Sequence, residues 1–417
     1  MQLKRVVVTG LGAVTPLGNT VHDYWINLIN GVSGSQSITR FDASKFKTRF
    51  ACEVKGFNPD DYIDKKEQRR LDLFSMFGIA AADQAWKDSG LNQFAFEPDT
   101  IGVIWGSGIG GLETFFNESV NFAKGDGTPR FNPFFIPKMI ADICSGHISM
   151  RFNLRGPNFT TVAACASSTN ALIDAFNYIR LGKAVAFITG GSEAAVNEAG
   201  VGGFNAMKAL SERNESPETA SRPFDKERDG FVLGEGAGGI VLEEMEHAIA
   251  RGAKIYAEVV GGGMSADAHH LTAPHPEGLG AMNVMKSALR DAGLNPDDID
   301  YINVHGTSTP LGDIAESKAI LKVFGQHAYN LNISSTKSMT GHLLGAAGAI
   351  EGIASILAVK NDIIPPTINH TTDDPDLDNR LNFTFNTAQK RTVRAALSNT
   401  FGFGGHNASV IVKKFNR

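Results

Sequence analysis

Cys165 is the residue whose surroundings best suit covalent chemistry. It lies in VAACASSTN, where a polar-apolar run at 160–166 leads into the helical pattern SSTNALIDAF. A cysteine in the first turn of a helix lies in the positive field of unpaired N–H groups, which lowers the thiol pKa, and the same groups can stabilise an oxyanion. The segment predicts a nucleophile, although most free cysteines are buried structural residues. Cys52 and Cys144 lack this setting and are predicted to be structural.

Two histidines could assist such a nucleophile. His305 follows an apolar strand in VHGTSTPLGD, and His342 lies in KSMTGHLLGAAG, but either could instead be a packing residue. Neither belongs to a metal-binding pattern such as HExxH or paired CxxC. Three more histidines, His269, His270 and His275, cluster in a loop, where such residues are usually solvated. We predict no catalytic metal and no cofactor.

The composition limits the possible functions. The 417 residues include 39 basic and 44 acidic side chains, so no broad basic excess is present to bind nucleic acid. The three cysteines contain no CxxC pair and do not suggest a disulfide framework. The opening MQLKRVVVTG has too short an apolar run for a signal peptide, and no stretch reaches the roughly 18 apolar residues of a membrane span. We predict a cytoplasmic protein that binds neither nucleic acid nor membrane.

Short sequence segments recur in the same order along the chain. KRVVVTGLGAVTPLG resembles YAEVVGGGMSADA, and AWKDSGLN resembles ALRDAGLN. Each segment of the second pair is predicted to end a helix at a glycine, and a buried strand follows it. The segments that hold Cys165 and His342, FTTVAACASSTNALID and ISSTKSMTGHLLGAAGAI, correspond more loosely.

The repeats predict two similar α/β halves, residues 1–253 and 254–417, with an insertion in the first half at about residues 20–70. Strands that alternate with helices imply parallel or mixed sheets covered by helices. Functional groups in such sheets collect where strands end and helices begin. If the halves pack with a pseudo-twofold relation, the junctions that carry the cysteine and both histidines converge on one site.

A glycine-rich loop suggests a competing function. The segment GSGIGG at 106–111 fits the dinucleotide-binding pattern GxGxxG and follows a predicted strand. That pattern also requires a second strand closed by an acidic residue about 20 residues on. The segment that follows, LETFFNESVNFAKGDGTPRFNPFF, is aromatic-rich and contains no clear strand. The match to a dinucleotide site is therefore weak.

Four motifs together resemble one enzyme family. VAACASSTN, VHGTSTPLGD, KSMTGHLLGAAGAIEG and SNTFGFGGHN are similar to motifs of the beta-ketoacyl-acyl-carrier-protein synthases, and the opening VVVTGLGAVTPLGN is closer to synthase II than to synthase I. The resemblance runs from about Arg5 to Val412. It implies the thiolase fold, an α/β fold of duplicated halves in a five-layered α/β/α/β/α arrangement. It also implies a homodimer that elongates fatty acyl chains by condensing acyl and malonyl groups on acyl carrier protein.

The resemblance assigns roles to individual residues. Cys165 would accept the acyl group, and His305 and His342 would complete a Cys-His-His triad, where initiating synthases carry asparagine in place of the second histidine. Other catalytic positions implied by the motifs are Lys337, its carboxylate partner Glu351, and Phe403, whose backbone N–H would join that of Cys165 in the oxyanion hole. Substrate-binding positions implied are Thr307, Thr309, Ile109, Phe204, His270 and Thr272.

The resemblance also implies an acidic carrier protein as partner, and the chain offers candidate docking charges. These are Lys65, Lys66, Arg69, Lys208, Arg130 and Lys138. Such charges more usually mark a solvated surface. Ser398 and Asn399 lie where some relatives bind a monovalent cation.

Two alternatives share the motifs. A polyketide-type ketosynthase would use the same chemistry on other acyl chains. A non-catalytic chain-length-factor-like subunit would only shape an acyl cavity, but such subunits replace the nucleophile, whereas this chain retains Cys165, His305 and His342.

Overall fold

The computed structural model describes residues 3–416, along which strands and helices alternate. The strands are β1 (Val6–Val14), β2 (Gln36–Ser37), β3 (Phe50–Ala51), β4 (Ile101–Gly106), β5 (Asn158–Thr161), β6 (Ala186–Glu193), β7 (Gly236–Glu244), β8 (Ala257–Ala266), β9 (Tyr301–Asn303), β10 (Asn332–Ser334), β11 (Ile363–Ile364), β12 (Gln389–Lys390), β13 (Ala395–Gly402) and β14 (His406–Lys413). The α-helices are α1 (Val21–Ile29), α2 (Lys65–Gln68), α3 (Leu73–Ser89), α4 (Leu112–Lys124), α5 (Phe135–Met139), α6 (Ile143–Phe152), α7 (Ser167–Arg180), α8 (Glu198–Ala206), α9 (Met245–Ala250), α10 (Leu279–Ala292), α11 (Pro310–Phe324), α12 (Lys337–Thr340) and α13 (Ala347–Asn361).

The sheet topology confirms the duplication. The longer strands form one sheet in the order β10-β9-β13-β14-β8-β1-β7-β6-β4-β5. Outward from the central β1–β8 pair, the two halves follow the same sequence of antiparallel, antiparallel, parallel and parallel pairings. The recurring segments AWKDSGLN and ALRDAGLN also end helices as predicted, since Gly90 and Gly293 follow the last residues of α3 and α10 with φ of 70° and 63°. The boundary at residues 253/254 lies between α9 and β8 and stays a prediction.

Glycines on the inner strands show how the helices are layered. The side-chain position of Gly238 faces α13 and that of Gly239 faces α3, so these helices cover opposite faces of β7. On β8, Gly262 faces α7 and Gly263 faces α10. Helices α7 and α13 contact each other and both halves of the sheet, while α3 and α10 lie on the two outer faces. This order is the predicted five-layered α/β/α/β/α arrangement.

The middle helical layer positions the chemistry. Cys165 lies two residues before α7, and His342 lies five residues before α13, at equivalent junctions of the two halves. His305 follows β9, and Phe403 follows β13. Within residues 3–416, no helix is both long and apolar enough to cross a membrane.

Candidate active site

The turn that carries Cys165 is held in an unusual backbone conformation. Ala164 has a φ of 48°, a left-handed value that costs a residue with a Cβ about 1–2 kcal/mol. Ser167 stabilises the turn, because its Oγ donates to the carbonyl of Ala164 at 2.6 Å and accepts the N–H of Ala163 at 2.9 Å. Strand β13 also passes close by: a Cβ on Gly402 would lie 3.1 Å from the backbone nitrogen of Cys165. The sulfur is therefore fixed at the start of α7 and is only 6% exposed.

His342 lies directly against the sulfur. Its Nε2 is 3.0 Å from Sγ of Cys165. The backbone around it pairs with the segment at 232–234: the N–H of His342 donates to the carbonyl of Val232, and its carbonyl accepts the N–H of Gly234. The ring packs edge-on against Phe231 at a centroid distance of 5.4 Å. Both backbone and ring are therefore held in place.

His305 completes the predicted cluster. Its ring centroid lies 5.2 Å from that of His342, with the two planes nearly perpendicular. The carboxylate of the buried Glu316 accepts the backbone N–H groups of His305 and Gly306 at 3.0 and 2.8 Å. The ring also packs near Phe401 at 5.6 Å. The three residues predicted as a triad are thus brought together from both halves.

Lys337 and Glu351 form an ion pair behind the histidines. Nζ of Lys337 lies 2.5 Å from Oε1 of Glu351, and both side chains are 1% exposed. The Lys337 ammonium is close enough to oppose protonation of His305 and His342. The pair therefore contributes charge to the site without facing the cavity.

Burial decides the protonation states, and one sequence prediction was wrong. Burial raises the pKa of the Cys165 thiol to about 12, although Lys337 and the backbone N–H of Phe403 oppose the rise. The helix start therefore does not produce the predicted low thiol pKa, because removal from water penalises the thiolate more. Burial also holds the pKa values of both histidines well below their ordinary range, so both rings are neutral. The resting site is a thiol beside two neutral imidazoles.

A cavity of about 550 Å³ opens onto the sulfur, and most of the predicted substrate positions line it. The lining includes Ile109, Phe204, Lys208, Thr272, Thr307, Thr309 and Phe403, together with the three triad residues. His270 is not in this lining. Its Nδ1 instead accepts the backbone N–H groups of Thr272 and Ala273 at 3.1 Å, so it shapes the loop at the cavity mouth.

The predicted docking charges lie on two connected segments and at the cavity mouth. Lys65 and Lys66 belong to α2, Arg69 follows it, Lys138 belongs to α5, and Arg130 lies in the loop before α5. The neighbouring Arg70 connects the segments, because its guanidinium lies 5.0 Å from the ring centroid of Phe134. The remaining charge, that of Lys208, lines the cavity.

The residues predicted near a cation offer unpartnered oxygens. Ser398 and Asn303 are neighbours on paired strands. Ser398 Oγ, Asn303 Oδ1 and Glu351 Oε2 are buried, and none has a hydrogen-bond partner among the described residues. Asn399 differs, because its side chain donates to Glu316 and accepts from Ser409. No cluster of three or more histidine, cysteine or acidic side chains suited to a metal occurs within residues 3–416.

Two buried carboxylates were not predicted. Glu316 accepts the N–H groups of the His305 loop, and Glu193 at the end of β6 accepts those of the loop at 108–110. The partners of both carboxylates are backbone N–H groups, which any residue type supplies, and those of Glu193 are also distant in sequence. Residue types and spacing therefore gave no signal for them. Phe401 and His275, which also line the cavity, were likewise missed as site residues.

Comparisons with known proteins agree with this geometry. Residues 3–248 match the family model described as Beta-ketoacyl synthase, N-terminal domain, and residues 256–371 match its C-terminal domain. The chain is 49% identical to 3-oxoacyl-[acyl-carrier-protein] synthase 2 of Synechocystis sp., covering 100% of this chain and 99% of that protein. This chain belongs to the beta-ketoacyl synthase family.

Two solved structures are also similar to this chain. The ishigamide ketosynthase/chain length factor has a TM-score of 0.93 at 34% identity, over 99% of this chain and 100% of that one. A type II polyketide ketosynthase solved with its acyl-carrier protein and a hexaketide has a TM-score of 0.88 at 32% identity, over the full length of both chains. The family and fold inferred from the motifs are confirmed, and the chain is a condensing acyltransferase.

Proposed function

We propose that this chain elongates fatty acyl groups by condensing acyl-acyl carrier protein with malonyl-acyl carrier protein to give 3-oxoacyl-acyl carrier protein. The observation that carries the proposal is the contact between Nε2 of His342 and Sγ of Cys165 at 3.0 Å, with His305 beside both. A nucleophile within hydrogen-bond reach of a base is the arrangement that acyl transfer requires.

The first half-reaction moves the acyl group onto the enzyme. The Cys165 thiol gives its proton to the neutral ring of His342 as sulfur attacks the thioester carbonyl carbon. The backbone N–H groups of Cys165 and Phe403 stabilise the resulting oxyanion. The carbon–sulfur bond to the carrier arm then breaks, and the departing thiolate takes the proton from His342. An acyl-Cys165 thioester and free carrier thiol remain.

The second half-reaction forms the new carbon–carbon bond. The malonyl carboxylate leaves as CO2, and its electron pair moves into the thioester to give an enolate. Hydrogen bonds from the neutral imidazoles stabilise the enolate oxygen. This step uses the tautomer of His342 that carries its proton on Nε2, and one such donor is worth about 3–4 kcal/mol in comparable sites. The enolate carbon attacks the acyl-Cys165 carbonyl, the thioester bond to the enzyme breaks, and the Cys165 thiolate takes up one proton. The product is 3-oxoacyl-acyl carrier protein.

The alternatives fit less well. The Synechocystis relative at 49% identity carries a 3-oxoacyl-acyl-carrier-protein synthase name, whereas the type II polyketide ketosynthase structure is 32% identical and the ishigamide ketosynthase/chain length factor is 34% identical. A non-catalytic chain-length subunit would not need the complete cluster at Cys165.

A cytoplasmic location stays a prediction.

The carrier protein is the proposed partner because the cavity suits its arm. Thr307 and Thr309 line the cavity, and their hydroxyl oxygens lie 3.0 Å apart. Lys208 lies in the same lining and could meet the phosphate of a phosphopantetheine arm. Ile109 and Phe204 line the same cavity and would supply apolar surface for an acyl chain.

We expect Cys165→Ala to remain unacylated when incubated with acyl-acyl carrier protein, because the other two cysteines, Cys52 and Cys144, are buried and lie outside the cavity lining. We also expect it to decarboxylate malonyl-acyl carrier protein, since both histidines remain.

His305→Ala should still accept the acyl group but condense roughly 10²–10³-fold more slowly, the loss typical of one oxyanion donor. Intact mass and CO2 release measure these steps. Cys144→Ala is the control, and an acyl adduct on Cys165→Ala would contradict the assignment.

The docking residues predict a salt-sensitive interaction. Reversing Lys65 and Lys66 to glutamate should raise the KM for acyl-acyl carrier protein about threefold to tenfold, because each exposed charge contributes modestly. The kcat should change little. The exposed Lys286 and Arg290 on α10 provide the control, since the double variant Lys286→Glu/Arg290→Glu makes the same change of four charges away from the predicted surface. Equal KM values for the patch and control variants would place docking elsewhere.

We propose a homodimer because one side of the chain leaves apolar groups and a sheet edge exposed. Strand β5 ends the sheet and contacts α6, which contacts α5, and α5 in turn contacts α4. On α4 and α5, Phe115, Phe122 and Ile136 are 50, 44 and 55% exposed. Sedimentation equilibrium should give the mass of two chains. Phe122→Asp should shift the mass toward one chain, and the similarly exposed Leu3→Asp should not. A wild-type mass of one chain would refute the dimer.

The unpartnered oxygens of Ser398, Asn303 and Glu351 support a bound monovalent cation. Oxygen ligands with one nearby carboxylate suit such an ion. Replacing potassium by choline should lower the Tm of the wild type, because a ligand that binds only the folded state stabilises it. Ser398→Ala should reduce that dependence. Identical Tm values in the two salts would argue against the ion.

A further inference from the structure

Glu193 is a fully buried carboxylate whose hydrogen-bond partners are all uncharged. Its Oε2 accepts the backbone N–H groups of Gly108 and Gly345 at 2.8 and 3.0 Å. Its Oε1 accepts those of Ile109 and Gly110 at 3.2 and 3.3 Å. None of the ion pairs among residues 3–416 includes Glu193. Donors on both oxygens favour the ionised form and offset part of the cost of burying the charge.

The two loops that donate to Glu193 come from different halves of the protein. The loop at 108–110 follows β4, and Ile109 lines the cavity. Gly345 lies three residues after His342 and leads into α13. The loops approach so closely that a Cβ on Gly345 would lie 2.1 Å from the nitrogen of Gly108. Glu193 therefore joins the cavity wall to the segment that carries the base.

This contact also explains the glycine-rich segment at 106–111. Its N–H groups surround an anion, as in a phosphate-binding loop, but the anion is the carboxylate of Glu193. Gly110 has a φ of 81°, which suits the curved backbone that such a loop needs. The motif serves an internal carboxylate here, which accounts for its resemblance to a dinucleotide site.

We propose that Glu193 is a positioning residue for the condensation: its ionised carboxylate fixes the His342 segment against the cavity wall, so that Nε2 stays aligned with Cys165. The inference rests on the proposed roles of Cys165 and His342. A displacement of about 1 Å at a reacting group can cost roughly 10²-fold in rate. Losing the Gly345 contact would free the segment three residues from the imidazole.

The charge of Glu193 gives a second, independent readout. Burial raises the pKa of Glu193 to about 7, and the backbone N–H groups oppose that rise. The ionised carboxylate in turn contributes to the raised pKa of the Cys165 thiol, as does Glu351, while Lys337 lowers it. At a pH below the thiol pKa, removing the Glu193 charge should increase the thiolate fraction and hence the rate of alkylation.

Two variants separate the effect of the charge of Glu193 from the effect of its side-chain length. Glu193→Gln removes the charge at nearly constant length, whereas Glu193→Asp keeps the charge but is one methylene too short to hold both loops. Glu243→Gln is the matched control. Glu243 is also 0% exposed and is paired with Arg251, and it lies at the opposite end of β7 from Gly236, the strand partner of Glu193. Each protein is assayed for Tm, acyl loading and condensation, and for iodoacetamide alkylation of Cys165 at pH 8, mapped by peptide mass.

We expect both Glu193 variants to condense at least tenfold more slowly at saturating substrate, with KM changed less than kcat. Alkylation of Cys165 should become about threefold to tenfold faster in Glu193→Gln and stay near the wild-type rate in Glu193→Asp. Glu243→Gln should lower Tm without changing either the alkylation rate or kcat well below its Tm.

The outcomes distinguish this inference from the proposed function. If the wild type takes no acyl group from acyl-acyl carrier protein, the proposed function fails whatever the variants do. If the wild type loads and condenses and either Glu193 variant folds and matches its kcat, the positioning role alone is refuted. It is also refuted if neither variant folds while Glu243→Gln does, or if losses in kcat merely follow losses in Tm.

Discussion

The structure depends on burying α7 and α13 side by side between the two halves of the sheet. The helices approach so closely that a Cβ on Gly348 would lie 2.0 Å from the hydroxyl oxygen of Thr169. Such an approach requires a residue without a side chain at the contact. Because both helices begin at the same place, the segments before them must meet there. That meeting places Cys165 beside His342, so one packing constraint of the core also builds the reacting pair.

The price of this placement is desolvation, and it determines the chemistry of the site. A buried thiol resists ionisation, and a buried imidazole resists protonation. In the proposed mechanism, proton transfer between Cys165 and His342 is therefore coupled to the arrival of a substrate that can accept negative charge on its carbonyl oxygen. Lys337 adds positive charge near the thiol, but Glu351 offsets part of it. On that mechanism the site stays close to neutral until an oxyanion or enolate forms, and the proposed N–H donors are already in place to receive that charge.

Much of this could be predicted from the sequence, for identifiable reasons. Cys165 and both histidines lie at strand–helix junctions, and the change from a strand pattern to a helical pattern in the sequence shows where such junctions occur. The recurring segments around Gly90 and Gly293 indicate the duplication because helix ends depend on local backbone preferences. The thiol pKa was predicted with the wrong sign because its dominant cause, burial, is a tertiary property. The role of Glu193 was invisible because its partners are backbone groups from two distant loops, and the place of His270 outside the cavity lining depends on loop geometry.

The two unpredicted carboxylates also show how the duplication was put to different uses. The loops after β4 and β9 occupy equivalent positions in the two halves, and each donates backbone N–H groups to a buried glutamate, Glu193 or Glu316. The donated hydrogen bonds offset the cost of burying each carboxylate, and each carboxylate in turn fixes its loop. Because each loop is fixed through its backbone N–H groups, the fixing does not depend on its side chains, and these differ between the two halves. Ile109 on one loop and His305 on the other both line the cavity. In the proposed mechanism, Ile109 contacts the acyl chain and His305 donates to a carbonyl oxygen, so equivalent positions of a repeated fold would serve binding in one half and chemistry in the other.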